Sequence, residues 1–233
     1  MWGEEIEIHW QLNQLTPPLE RKMKHILITI AAVVLVGCGP NIDIHEAALN
    51  GDLNEIKKHI NAGTDLNIKS PFPFEQTPLH LAVIAAHLEI VDVLISNGAQ
   101  VDPIDADGKS PLFYALQGNL SPRNKFTPKI TSALISNGAS TDIVDKNGNH
   151  PIHNLGVYGK ENVEKLDILI NAKVNLNVKD KDSKTLLDIV VERFNFINRM
   201  AGDDQTDLLS NGVIDLLRKH GGKTGEELKA ADN

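Results

Sequence analysis

Aromatic side chains are scarce in this chain. They make up 4% of 233 residues, with six Phe, two Tyr and two Trp, so any core is aliphatic. Hydrophobic residues reach 41%, enough to fill one. Cysteine occurs once, at Cys38, which excludes an intrachain disulfide and a cysteine-built zinc site. Basic residues are in deficit. The formal charge is −8, and with three bases and four acids in residues 1–38, the remainder holds 20 bases against 27 acids. Such a body lacks the basic face that nucleic acid requires. A membrane-spanning helix needs about 20 apolar residues. The run from Ile26 to Val36 has eleven and is too short.

Catalytic signatures are missing as well. There is no phosphate-cradling G-x-x-x-x-G-K-[ST], no G-x-S-x-G and no H-E-x-x-H. Gly221-Gly222-Lys223-Thr224 echoes the end of a phosphate loop, but the earlier glycine is absent and a helix, not a strand, precedes it. The chain offers no nucleophile–base pair at a recognisable spacing. The expectation is a non-enzyme without a cofactor.

Internal repetition is what the chain has in place of these. Gln76-Thr77-Pro78-Leu79-His80-Leu81-Ala82, Lys109-Ser110-Pro111-Leu112-Phe113-Tyr114-Ala115 and Asn149-His150-Pro151-Ile152-His153-Asn154-Leu155 open three similar units. Ile44-His45-Glu46-Ala47-Ala48 and Thr185-Leu186-Leu187-Asp188-Ile189 fit the same register at either end. The aligned residues His45, His80, Phe113, His153 and Asp188 are spaced by 35, 33, 40 and 35 positions. A second signal recurs deeper in each unit: Ile60-Asn61-Ala62-Gly63, Ile95-Ser96-Asn97-Gly98, Ile135-Ser136-Asn137-Gly138 and Ile170-Asn171-Ala172-Lys173. Each follows a helical apolar pattern, and glycine ends a helix by accepting the left-handed conformation. Turn segments come next, at Val101-Asp102, Thr141-Asp142 and Leu176-Asn177.

These motifs resemble the ankyrin repeat, about 33 residues of turn, helix and helix. The Thr77–His80 match is specific, and His87-Leu88-Glu89-Ile90-Val91 resembles the start of the family's second helix. The resemblance implies an all-α repeat solenoid of about five units including caps, over residues 42–222, with a short terminal helix or tail at 223–233. Thr77 can cap the first helix and Pro78 suits its first turn. Departures are expected to show. Lys173 stands where glycine belongs, so the fourth unit should end its helix under strain or differently. Unit three carries an insertion near Gly118–Thr127, and Arg193–Asn211 holds a loop around Gly202-Asp203-Asp204. Thr224-Gly225-Glu226-Glu227 has the pattern of a capping box.

Nine histidines invite a metal reading. His45, His80, His87 and His153 occupy motif positions, where the resemblance implies a structural bond to backbone. His150 and His153 form a conceivable ligand pair three residues apart, without a supporting carboxylate pattern. The acids of the turns (Asp102, Asp105, Asp107, Asp142, Asp145, Asp180, Asp182) lack the full calcium-loop pattern. They suit turns that bond to their own backbone. No metal is expected.

The amino-terminal region reads as an export signal. Arg21, Lys22 and Lys24 precede the apolar run, in the order of a secretory signal. Leu35-Val36-Gly37-Cys38 resembles the bacterial lipobox, with Val36 where a smaller residue is commoner. The resemblance implies a signal peptide at 23–37, lipidation of Cys38 and a tether at 38–41; otherwise Cys38 is a small buried hydrophobe. Acyl chains would add about 0.8 kcal/mol of membrane affinity per buried methylene. Gly39 follows the cysteine with no Asp there, which by resemblance leans towards the outer membrane. Met23 is read as the start, with residues 1–22 a polar stretch upstream of it or a disordered extension. Both tryptophans, Trp2 and Trp10, lie in that stretch.

The expected function is protein–protein binding by an envelope-anchored monomeric scaffold facing the periplasm, without nucleic acid. The alternative is an immunity or inhibitor lipoprotein that blocks a periplasmic enzyme or toxin, its acidity speeding encounter with a basic partner. By the resemblance, contacts are expected from Phe72 and Phe74 in the first finger, Asp105, Asp107 and Lys109 in the second, Asp145 and Lys146 in the third, and Asp180 and Lys181 in the fourth. Phe72 and Phe74 serve either as an interface or as a cover for the first cap.

Overall fold

The computed structural model describes residues 40, 42–71, 73–117, 127–156, 160–201 and 210–231. Residues 1–39, with Cys38 and the apolar run, lie outside the described residues, as do Phe72 and most of the insertion after Gln117. No helix among the described residues is long and apolar enough to cross a membrane.

The described residues from 42 onward form five helix pairs. In chain order they are α1 (Ile44–Asn50) with α2 (Leu53–Asn61), α3 (Pro78–Ile84) with α4 (Leu88–Ser96), α5 (Pro111–Leu116) with α6 (Thr127–Ser136), a 3-10 turn (Pro151–Asn154) with α7 (Lys160–Asn171), and α8 (Leu186–Ala201) with α9 (Ser210–Lys219). A last short helix, α10 (Gly225–Ala231), closes the array. Successive first helices α1, α3, α5, the 3-10 turn and α8 pack side by side. The second helices α2, α4, α6, α7 and α9 form a parallel row behind them. The fold is an all-helical repeat solenoid; among the described residues the only extended pairing is a single bridge between Gln117 and Leu155.

Local sequence explains the helix ends. Asp43 and Asp52 cap α1 and α2 by accepting the amides of His45 (2.8 Å) and of Asn54 and Glu55 (3.1 and 3.0 Å). Pro78 and Pro111 stand at the first helical position of α3 and α5, where no amide donor is needed. Gly63, Gly98 and Gly138 adopt φ of 72°, 94° and 86° after α2, α4 and α6. Lys173 adopts φ 58° at the same place after α7, so the fourth unit keeps the shape with a residue that resists it. Glu227 and Thr224 bond reciprocally at the start of α10, Thr224 N to Oε2 at 2.8 Å and Glu227 N to Oγ1 at 3.2 Å.

The stretch Arg193–Asn211, expected to hold a loop around Gly202-Asp203-Asp204, opens as helix, because α8 runs on to Ala201, sixteen residues in all, and residues 202–209 lie outside the described residues. Its apolar residues extend the helical period through Val190, Val191 and Phe194, so the helix has a face to pack and no breaker before Gly202.

The core is one continuous aliphatic cluster from Ile44 and Ile56 through Leu79, Leu94, Leu112, Leu134 and Leu166 to Leu187 and Leu217. Phe113 is its one fully buried aromatic side chain among the described residues. Each unit contributes a face that only its neighbours cover, so stability is a sum over joints. Truncating a central leucine such as Leu94 should cost about 2–5 kcal/mol.

Candidate binding surface

The fingers between pairs are built from side chain–backbone bonds. Asp105 Oδ1 accepts the amides of Asp107 (2.8 Å) and Lys109 (2.9 Å). Asp145 repeats this with Asn147 and Asn149, both at 2.9 Å. Asp180 does so with Asp182 and Lys184, at 2.9 and 2.8 Å. Asp105 and Asp145 are buried by this role. Of the acidic residues expected to meet a partner, these two therefore face their own turns. A carboxylate that bonds two residues ahead is the mechanism that makes Asp a turn residue.

Neighbouring fingers are joined by backbone. The Ala106 amide donates to the Phe74 carbonyl at 2.9 Å, and the Lys146 amide to the Asp107 carbonyl at 2.9 Å. A second set of bonds ties the end of one unit to the next finger. Asn67 Oδ1 accepts the Gln100 amide (2.8 Å), Asp102 Oδ2 the Ser140 amide (2.9 Å) and Asn177 Oδ1 the Lys223 amide (2.7 Å). Asp102 holds its other oxygen, Oδ1, buried without a partner, and burial raises its pKa above the usual carboxylate range.

The motif histidines make the third set. The Thr77 amide donates to His80 Nδ1 (3.1 Å), so Nε2 carries the proton and donates to the Lys109 carbonyl (3.0 Å). His153 is held the same way, accepting from the His150 amide (3.1 Å) and donating to the Val178 carbonyl (3.1 Å). His45 Nε2 donates to the Ile68 carbonyl at 3.0 Å, and His87 Nε2 to the Leu49 carbonyl at 3.2 Å. Burial pushes the pKa of His80 and His153 down, opposed by their carbonyl bonds. Both nitrogens of His153 are occupied, so the His150–His153 pair, rings 5.8 Å apart and edge to face, offers no free imidazole edge from His153 to a metal.

Two units depart from this pattern. Phe113 replaces the histidine with a core side chain, and Tyr114 beside it takes over the bonding. Its hydroxyl donates to Asp105 Oδ2 at 2.5 Å and accepts from Gln76 Nε2 at 3.1 Å. Burial and the carboxylate together raise the tyrosine pKa. In the last unit Asp188 accepts across the joint, while Thr185 Oγ1 donates to the Lys223 carbonyl at 2.7 Å. Asp188 Oδ2 accepts from the amides of Thr185 (2.9 Å) and Gly225 (2.8 Å). A Cβ at Gly225 would collide with the Ser183 carbonyl oxygen, so only glycine reaches this position.

What faces outward on the fingers is mixed. Phe74 is 65% exposed, Ile104 48% and Val144 46%, an apolar side chain on each of three consecutive fingers. Asp107, Lys146 and Lys181 are exposed and Lys109 and Asp180 half-buried among them. Lys109 pairs with Asp107 at 3.5 Å and Lys181 with Asp182 at 3.7 Å. Ile104 and Val144 were not among the residues expected from sequence. Their signal was available, since each directly precedes the turn-building aspartate of its finger.

Comparison with known proteins agrees with this geometry. A family model for ankyrin repeats (3 copies) matches residues 44–122. An ankyrin repeat-containing protein of Schizosaccharomyces pombe is 34% identical over 74 residues, covering 32% of this chain and 34% of that one. The 26S proteasome non-ATPase regulatory subunit 10 of Rattus norvegicus is 37% identical over 75 residues, 32% of each chain. A Notch-regulated ankyrin repeat-containing protein of Xenopus laevis is 36% identical over 75 residues, 31% of this chain and 66% of that one. The chain spans about a third of the length of the first of these curated relatives. By motif, by helix order and by these matches, the chain carries an ankyrin-repeat domain, a fold whose general use is binding other proteins.

Proposed function

We propose that this domain is a non-catalytic, monomeric scaffold that binds another protein through its fingers. The observation that carries this is the exposed row of Phe74, Ile104 and Val144 on fingers locked together by backbone bonds. Isolated exposed apolar residues are ordinary, but one on each of three adjacent rigid turns, with Ile104 and Val144 in the same register, gives an anchor line with a charged rim. Asp107, Lys109, Lys146 and Lys181 supply that rim, and Asp180 supports it from beneath. A photo-crosslinking residue placed at Ile104 or Val144 should give a discrete adduct in cells, and one at Glu89 on α4 should not. Equal adducts from both faces, or none from the fingers, would refute the finger surface.

The same proposal places the scaffold in a bacterial envelope, lipid-anchored through Cys38 with the domain facing the periplasm. Its support is the sequence of residues 21–38: bases, an eleven-residue apolar run and a cysteine after glycine. Labelled palmitate should enter the full chain and not a Cys38→Ala form, and only the former should sediment with membranes. Unlabelled soluble protein in both cases would end this reading. The acidic body favours a basic partner, which keeps the inhibitor role as a second reading. That role requires affinity that falls steeply with salt.

A further inference from the structure

Two departures from the repeat pattern meet at one joint. Units one, two, three and five close their second helix with Gly63, Gly98, Gly138 and Gly221, all at positive φ. Unit four has Lys173 there, at φ 58°, a conformation that costs a lysine and not a glycine. One position earlier, Asn97 and Asn137 donate back to the Val93 and Ala133 carbonyls at 2.7 and 2.8 Å. Unit five has His220 in that place. Lys173 and His220, both exposed, come from adjacent units and border one open depression of about 320 Å³, together with the exposed Asn175 and the half-buried Asn177.

Helix carboxyl ends attract cations to their carbonyls, and here backbone amides also close the last turns. Ile170 and Leu169 accept from Lys173 N (2.9 Å) and Val174 N (3.0 Å), and Leu216 and Leu217 from His220 N (3.1 Å) and Gly222 N (2.7 Å). Among the described residues, neither the Lys173 ammonium nor the His220 imidazole has a hydrogen-bonding or ionic partner. The wall of the depression contains no acid, in a chain with 31 of them. Asn175 Oδ1 accepts the Asn177 amide at 3.0 Å, which aligns its side-chain amide as a further donor. Asn177 fixes the joint by donating to Gly221 O and accepting from Lys223 N.

We propose that this depression binds a phosphate-type oxyanion between Lys173 and His220, at a site separate from the fingers. Lysine supplies the charge, and imidazole and Asn175 supply directed donors. The volume leaves room for a small ester group beside the anion.

The test is a thermal-shift and calorimetric titration of the full chain with inorganic phosphate and with glycerol 3-phosphate, each against sodium chloride at equal ionic strength. A saturable rise in Tm is expected, with the tighter of the two probes identifying a free anion or a phosphomonoester. Lys173→Gly should raise the Tm without ligand, because it relieves the backbone, and yet weaken the ligand by about tenfold or more. His220→Asn should weaken it as well. No saturable response in the wild type, or an undiminished response in both variants, overturns the site.

Discussion

Lys165 lies on the buried face of α7 with 1% of its surface exposed, and its Nζ reaches one carbonyl, that of Gln117, at 3.4 Å. Burial pushes its pKa down from 10.5 to about 8, with Glu161 opposing. A depressed folded pKa means that the fold favours the neutral amine. The stability it contributes is complete above the unfolded value of 10.5 and lost as pH falls through 8. At pH 7 the charged amine then costs about 3 kcal/mol relative to a neutral side chain, since each pH interval of one between the two values is worth about 1.4 kcal/mol. Lys165→Met keeps the length of the stem and removes the charge. It should therefore raise the unfolding free energy by about 3 kcal/mol at pH 7 and by about 1 kcal/mol at pH 10. Urea unfolding of both chains at the two pH values measures this. A variant no more stable than wild type at pH 7 would show that the Gln117 bond outweighs desolvation, and a gain that does not shrink at pH 10 would show that charge is not its source; either result would refute the reasoning.

Asp102→Asn should stabilise the domain by about 1 kcal/mol at neutral pH, since Asn67 and Asn177 make the equivalent bond without burying an unpaired carboxylate oxygen. Because the folded pKa of Asp102 is raised, its charge-related cost appears as pH rises above about 4, so the gain should fade in acid-titrated melts. His80 and His153 have lowered pKa values, so the stability they contribute is present above about pH 6.5 and lost as pH falls below it. Urea midpoints from pH 7.5 to 5 should drop, and drop less in a His80→Asn/His153→Asn chain that starts lower. Gly225→Ala should cost about 2 kcal/mol by driving α10 off the Ser183 carbonyl, read as a lower Tm. Phe74→Ala should leave stability within about 0.5 kcal/mol of wild type while reducing finger crosslinks, because the ring is mostly exposed.

The repeat frame was legible because its signals are local. Proline at a helix start and glycine at a helix end act within a few residues, and both appear in the structure where the sequence puts them. The extent of α8 was less legible because polar residues (Arg193, Asn195, Asn198 and Arg199) interrupt the apolar pattern after Glu192, whereas Phe194 carries the helical face onward. The orientation of the candidate contacts was less legible for a related reason. Asp105 and Asp145 are turn residues whichever way they face, and only the bonds to residues two and four ahead show that they turn inward. Lys165 left no sequence signal at all, since a lysine amid Glu161, Glu164 and Asp167 reads as solvent-facing until the neighbouring unit covers it.

The joint at Asp188 holds the last helix from both sides. Asp188 takes the Gly225 amide, while Thr185 Oγ1 gives its proton to the Lys223 carbonyl at 2.7 Å. His80 and His153 make only the second kind of bond to the finger that follows them. Whatever seats on the fifth unit has to bring an amide as well as a carbonyl, with a glycine lodged under Ser183. Exchanging α10 for an ordinary finger would keep a carbonyl for Thr185 and leave Asp188 without its amide.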